Sequence, residues 1–291
     1  MIYNNETELN IKRAVEQEGF ENESIQILPH SCFTHIDTIV RSMDGAMAGV
    51  VRTGSLRMTI NGEQHRLVAN NIFVIHEGVK VEHIRPSKQC TGYLVIFHGK
   101  YMMSMDVDTK DFVLSDLNAR MSPIFDIDKG AANSIYDTVV SLIETARSKK
   151  IYFTQGVITS LTNALFYLIL SLLRPADNFV LAKGKSNIYM VRFVELLSQY
   201  HRQERSVEFY AQKLGITPKY LTMVCRKFRG ITASQMIDTV VIHSAMRLLK
   251  EPGVSMQQVA DELNFPSQSF FGKYFKQRVG ISPSRYKGQG N

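Results

Sequence analysis

The last third of the chain repeats itself. Ala211-Gln212-Lys213-Leu214-Gly215-Ile216 returns as Ala260-Asp261-Glu262-Leu263-Asn264-Phe265, at an offset of 49. Leu221, with Gly230-Ile231-Thr232 nine residues on, returns as Phe271 with Gly280-Ile281-Ser282, at an offset of 50. One extra residue therefore lies in the second copy. Self-similarity at this period marks a supersecondary unit used twice, which restricts the region to folds made of two like pieces.

The content of each copy spells helix–turn–helix. Ser206 can cap a helix carrying Val207, Tyr210, Ala211 and Leu214, with Glu208 in its first turn. Gly215 suits the left-handed position that ends such a helix. Thr217-Pro218 then supplies a cap and a first-turn proline. Leu221, Val224, Cys225 and Phe228 follow at i, i+3, i+4 and i+7, one buried stripe. In the second copy Ser255 and Gln258 form a capping box. Val259, Ala260 and Leu263 face inward, Asn264 takes the left-handed position, and Ser267 caps a helix whose stripe is Phe270, Phe271, Tyr274 and Phe275. Gly230 and Gly280 close the two second helices. Between the copies, Thr232 and Gln235 open a helix to about Lys250, with Ile237, Val241, Ala245 and Leu248 on one face and Pro252-Gly253 as its stop. Upstream, Ser186 starts a helix bearing Met190, Phe193, Leu197 and Tyr200; downstream, Ser282-Pro283 repeats the cap-plus-proline device. Seven helices result.

Charge follows the same division. Residues 176–291 carry 17 Lys+Arg against 8 Asp+Glu, a net +9, whereas residues 1–175 carry 17 against 19, a net −2. A basic module joined to a slightly acidic one suggests a polyanionic partner for the basic part.

Ala260-x2-Leu263-Asn264-Phe265-x4-Phe270-Phe271-x3-Phe275-Lys276-x3-Gly280-Ile281-Ser282-Pro283-x2-Tyr286 resembles the signature of AraC/XylS-type transcription regulators. The resemblance covers about residues 186–287. Asn264 stands where glycine is usual, Pro266 follows it in the turn, Cys225 replaces a commoner phenylalanine, and Lys287 replaces the usual arginine after the tyrosine. These departures leave the fold argument intact and the base preference open.

What the resemblance implies is a double-headed reader of double-stranded DNA. Recognition helices read base edges from exposed N-terminal positions, while flanking cations and helix N-termini hold phosphates. The family's base-reading positions map onto Lys219, Thr222 and Met223 in the first unit, with Arg226 close behind as a further base reader, and onto Gln268, Ser269, Gly272 and Lys273 in the second. Lys227 and Lys276 are the phosphate candidates. Gln268 can pair bidentately with adenine and Lys273 with guanine, and Thr222 or Met223 can pack on a thymine methyl. Gly272, without a side chain, leaves the second helix fewer base contacts. Two units on one linker helix should enter successive major grooves ~34 Å apart.

Residues 24–100 alternate like strands: Ile25–Leu28, Thr38–Ser42, Ala46–Arg52, Gly54–Asn61, Gln64–Val68, Asn71–His76 and Thr91–His98. Asn61-Gly62 between apolar runs is the best hairpin signal in the chain. Short strands with hairpin turns suggest a small antiparallel β-barrel, and in this context it resembles the cupin-like sensing domain that often precedes an AraC-type module. Residues 131–149 and 154–173 form two helices, the first with Ile135, Val139, Leu142 and Ile143. The second is apolar on every side, so it needs covering on more than one. A second subunit is a natural cover, which makes a homodimer through 154–173 the expectation. The run Ala164–Leu170 is too short to span a bilayer, so no membrane partner is expected.

The fold class is thus α+β with two domains: an N-terminal cupin-like antiparallel β-barrel with two long helices, and a C-terminal all-α domain with two helix-turn-helix units. The expected divisions are a sensing barrel at 1–128, a helical dimerisation segment at 129–175, a linker at 176–185 and a DNA-binding domain at 186–291. A polar N-terminus without an apolar core, and Cys32, Cys90 and Cys225 far apart without a CxxC, point to a reduced, cytoplasmic protein.

The function expected is sequence-specific transcription regulation, with a small-molecule effector in the barrel and RNA polymerase as a further partner. No enzymatic activity, cofactor or metal is expected. The competing class is a cupin-fold metal enzyme fused to a DNA-binding module. His65, His76 and His83, with Glu77 and Glu82 nearby, lie in the right region, but no HxH pair puts two ligands on one strand face. A third class is a sequence-indifferent binder, whose affinity would follow salt and not sequence.

Overall fold

The structure is a computed structural model that describes residues 5–148, 152–173 and 185–288. In chain order the elements begin with α1 (Asn5–Glu18), β1 (Phe20–Glu21), β2 (Ile25–Pro29), α2 (Ile36–Ser42), β3 (Gly45–Thr53), β4 (Ser55–Ile60), β5 (Glu63–Val68) and β6 (Asn71–His76). They continue with β7 (Val81–Pro86), β8 (Thr91–His98), α3 (Gly99–Ser104), α4 (Thr109–Met121), β9 (Ile124–Asp126), α5 (Lys129–Arg147) and α6 (Thr154–Leu172). The last seven are α7 (Lys185–Tyr200), α8 (Val207–Lys213), α9 (Pro218–Arg229), α10 (Ala233–Lys250), α11 (Met256–Glu262), α12 (Gln268–Val279) and α13 (Pro283–Gly288). The expected linker, 176–185, lies outside the described residues except for Lys185, which opens α7. Two compact units form: Met1–Met102 with Asn118–Arg174, and Met103–Leu117 with Pro175–Asn291. Residues 103–117, placed by sequence with the barrel, thus cluster with the second unit.

In the first unit two antiparallel sheets face each other, one ordered β1-β2-β8-β3-β6-β9 and the other β5-β4-β7. Met47, Phe73, Ile75, Leu94 and Ile96 from the larger sheet meet Leu56, Met58, Ile60 and Leu67 from the smaller in one core. The alternate residues of β3, β6 and β8 are buried too, among them Ala48, Val50, Val74, Val95 and Phe97. They are covered by helices: Tyr93 meets Tyr136 of α5 and Phe97 meets Phe166 of α6, with ring centroids 5.4 and 5.3 Å apart. Burial on both faces explains why these strands read as apolar runs rather than strict alternations. The β4–β5 hairpin turns on Asn61 and Gly62, both at positive φ, as a two-residue turn requires.

Thr38–Ser42, expected as a strand, is the end of α2. Ile36, Ile39 and Val40 are buried at i, i+3 and i+4, and Arg41 pairs with Asp37 at 3.0 Å, so the helical period wins over local β-propensity. Strand β7 escaped the sequence because a register shift on β4, opposite a positive-φ His83, breaks its alternation. Helix α6 as a whole is long and apolar enough to cross a membrane, which the shorter run had not suggested. It packs along α5, with Ile158, Leu165, Phe166 and Ile169 buried.

In the second unit the caps fall where the sequence placed them. Ser206, Thr217, Thr232, Ser255 and Ser267 each accept a backbone N–H, and Thr232–Gln235 and Ser255–Gln258 close full capping boxes. Gly215, Gly230, Gly280 and Asn264 all take positive φ. Helix α10 is buried almost all round, from Met236 and Ile237 to Met246 and Leu249, because both helix–turn–helix units lean on it. Met105, Val107, Phe112, Val113 and Leu117 are buried in the same unit, and Phe112 stacks on His243 at 5.4 Å.

Candidate nucleic-acid interface

Each copy exposes one face of its second helix. On α9, Leu221, Val224 and Cys225 are buried, which turns Lys219, Met223, Arg226 and Lys227 outward and leaves Thr222 half-buried. At about 100° per residue, Lys219, Thr222, Met223 and Arg226 share one face. Met223 is 55% exposed, so it is not a core residue. Burial pushes the Cys225 thiol up to about 12, making it a packing group. Thr217 caps the helix by accepting the Tyr220 N–H and Pro218 occupies its first turn, so the positive end of the helix dipole lies at the turn that carries Lys219.

On α12, Phe271 and Phe275 are buried, while Gln268, Ser269, Lys273 and Lys276 are exposed. The expected inward stripe is corrected at one position: Phe270 is 63% exposed. It lies about 100° round the helix from Phe271, beyond the sector that Val259, Ala260 and Leu263 can cover. Sequence reasoning missed it as a surface aromatic because four aromatics in six residues read as one stripe. Gly272 is half-buried, and a Cβ built there meets nothing within 4 Å.

Two cations near these faces are committed elsewhere. Arg278 donates to Asp238 at 2.9 Å and stacks on Tyr274 at 3.5 Å. Arg229, the last residue of α9, pairs with Asp116 at 3.1 Å, with side chains 9% and 7% exposed. Among the described residues of α9 and α12, the remaining exposed basic side chains are therefore Lys219, Arg226 and Lys227, the last with its ammonium 5.4 Å from the Phe228 ring centre, and Lys273 and Lys276. The two copies are tied together at their backs. Arg205 donates to the carbonyls of Leu263 and Asn264 and stacks over Phe265 at 4.2 Å, Asn264 donates to Gln203 O, and Arg202 pairs with Glu262. With 18 residues, α10 is ~27 Å long. The result is a stiff pair of basic, capped helix faces.

Elsewhere, His65 stands 4.0 Å from Glu63 and His76 is buried in β6. Among the described residues no group of three His, Cys, Asp or Glu could hold a metal ion.

Comparison with known proteins places this geometry. The helix-turn-helix domain family matches residues 210–289. The Msm operon regulatory protein of Streptococcus mutans is 19% identical over 247 residues, 84% of this chain and 84% of its own length. The HTH-type transcriptional activator AarP of Providencia stuartii is 34% identical over 82 residues, 28% of this chain and 61% of its own. The matched share of such relatives runs from 12% of a Bacillus subtilis regulator, YtdP, to that 84%. Among solved structures, fatty-acid-bound ToxT of Vibrio cholerae aligns over 84% of this chain and 87% of its own at 13% identity and a TM-score of 0.34. The C-terminal unit thus carries a helix-turn-helix domain of the AraC/XylS type, and the relatives that match it are transcription regulators.

Proposed function

We propose that this protein regulates transcription by binding specific double-stranded DNA through α9 and α12 in successive major grooves. The observation that carries the reading is the pair of exposed, N-capped, basic faces on one stiff scaffold, in a domain matched by the helix-turn-helix family. Lys219, Thr222, Met223 and Arg226, with Gln268, Ser269 and Lys273, are the base readers; Lys227 and Lys276 hold phosphates. Selection from a random duplex library at about 150 mM salt tests it. An enriched motif with two blocks about one helical turn apart is expected. Retention that falls with salt and enriches nothing would replace the reading with non-specific binding.

A homodimer through α6 is supported by the exposed Tyr152, Phe153, Val157 and Tyr167 at one end and flank of that helix. Phe153→Glu with Val157→Glu should yield monomers in sedimentation; unchanged mass would remove the dimer. The effector would take a cleft of about 370 Å³ between the end of β3, the β5–β6 turn and the start of α5. Arg52 is held there by Asn133 at 2.8 Å and lies 4.3 Å from the Tyr136 ring centre, and Lys129 lines the same cleft. Two cations with an aromatic face suit a small carboxylate or phosphate ester, which regulates only by binding one DNA-competent arrangement better than another. A carboxylate panel read by thermal shift, lost in Arg52→Ala, tests it. We place the protein in the cytoplasm, as a regulator and not an enzyme, with RNA polymerase as its partner at the promoter.

A further inference from the structure

Residues 103–117 are part of the compact DNA-binding unit although α5 and α6 intervene along the chain. They lie as a strap along one stripe of α10. Lys250 donates to Ser104 O at 2.5 Å, Arg247 to Asp106 at 2.7 Å, and the His243 ring reaches Met105 O at 3.3 Å while stacking on Phe112. His243, Arg247 and Lys250 are spaced i, i+4 and i+7, so the strap follows the helix for two turns. Its far end holds α9: Asp116 pairs with Arg229 at 3.1 Å, both nearly out of water.

A buried ion pair is a poor source of stability, because desolvation offsets the attraction, but breaking it leaves an uncompensated buried charge. What such a pair supplies is geometry. Arg229 is the last residue of α9, followed by Gly230 in the left-handed conformation. Holding Arg229 fixes the pivot about which Lys219, Met223 and Arg226 would swing. We propose that Asp116 is a positioning residue for DNA reading: the strap 103–117 sets the angle of α9, and the first helix–turn–helix unit reads its bases correctly only while Asp116 holds Arg229. This rests on α9 being a reading helix.

The test uses the full chain and a duplex carrying the motif that the wild-type protein selects, with a scrambled duplex beside it. Asp116→Asn should bind the selected duplex about tenfold more weakly, the scale of energies carried by coupled contacts, with scrambled-duplex binding unchanged. Asp116→Leu with Arg229→Met, an apolar pair of similar volume, should return discrimination toward wild type, which also serves if Asp116→Asn does not fold. Wild-type discrimination by a folded Asp116→Asn protein overturns the proposal. So does a double variant no better than Arg229→Met alone, since Arg229 would then act on DNA directly. If the wild-type protein selects no motif, it is the DNA-reading assignment that fails, a result separable from the others.

Discussion

Arg205 donates to the carbonyl of Asn264 at 2.7 Å, joining the entry of the first helix–turn–helix unit to the turn of the second. Its other nitrogen donates to Leu263 O at 2.6 Å, and its plane stacks over Phe265. This fork satisfies two carbonyls at the end of α11 and ties the two helix–turn–helix units together. Arg205→Ala should lower stability by about 1.5–3 kcal/mol, the range for hydrogen bonds to a charged group. It should also weaken binding to a two-block duplex more than to a one-block duplex. Arg205→Lys should not restore either, because an ammonium cannot make the planar fork. Equal losses on both duplexes would show that the heads are independent.

Neighbouring phenylalanines on α12 should behave oppositely. Phe271 is 1% exposed in the core beneath the second unit, and Phe271→Ala should lower stability by roughly 3–5 kcal/mol. Phe270, exposed on the surface, should change stability by no more than about 0.5 kcal/mol when replaced by alanine. It should nonetheless reduce DNA affinity. Urea unfolding with a DNA titration separates the two, and a large stability loss for Phe270→Ala would place it back in the core.

Lys273 and Lys227 should also divide by role. Lys273→Ala should relax base preference at one position of the second block, by about 1–3 kcal/mol of discrimination. Lys227→Ala should weaken all duplexes alike and reduce the salt slope by about one. Equal losses of Lys273→Ala on selected and scrambled duplexes would take it off the list of base readers.

Stability should decline in mild acid through His243. Burial holds its pKa down to about 4; Arg247 and His201 act in the same direction, against the Met105 carbonyl and Asp106. An unfolded histidine titrates near about 6.5. Below that pH the unfolded chain takes up a proton that the folded chain refuses, so stability falls until about pH 4 and then levels. The full contribution is roughly 3 kcal/mol, and His201, also lowered by burial, adds in the same sense. Unfolding midpoints between pH 7 and 4 check this. His243→Gln should flatten the profile, and an unchanged slope would assign it to other groups.

Much of the DNA-binding unit was legible because its signals are short. A cap, a first-turn proline and a left-handed glycine or asparagine each act within one turn, and they recur in register in both copies. The hairpin at Asn61-Gly62 is equally local. The exposed faces of α9 and α12 followed from helical period, with Phe270 misassigned because a dense aromatic cluster hides where one stripe ends. Strand Thr38–Ser42 failed for a different reason: five β-branched and polar residues carry no period of their own, and Ile36 supplied the missing helical spacing.

The amino-acid sequence by itself determined the repeat, the caps, the order of the seven C-terminal helices and the basic character of that module, all of which depend on neighbours within a few residues. Tertiary structure alone decided that β3, β6 and β8 are covered on both faces. It alone sent residues 103–117 to α10, and so withdrew Arg229 from the basic surface by burying it against Asp116. Those outcomes depend on desolvation, which is set by whatever the rest of the chain brings alongside, and a residue's sequence neighbours carry no record of it.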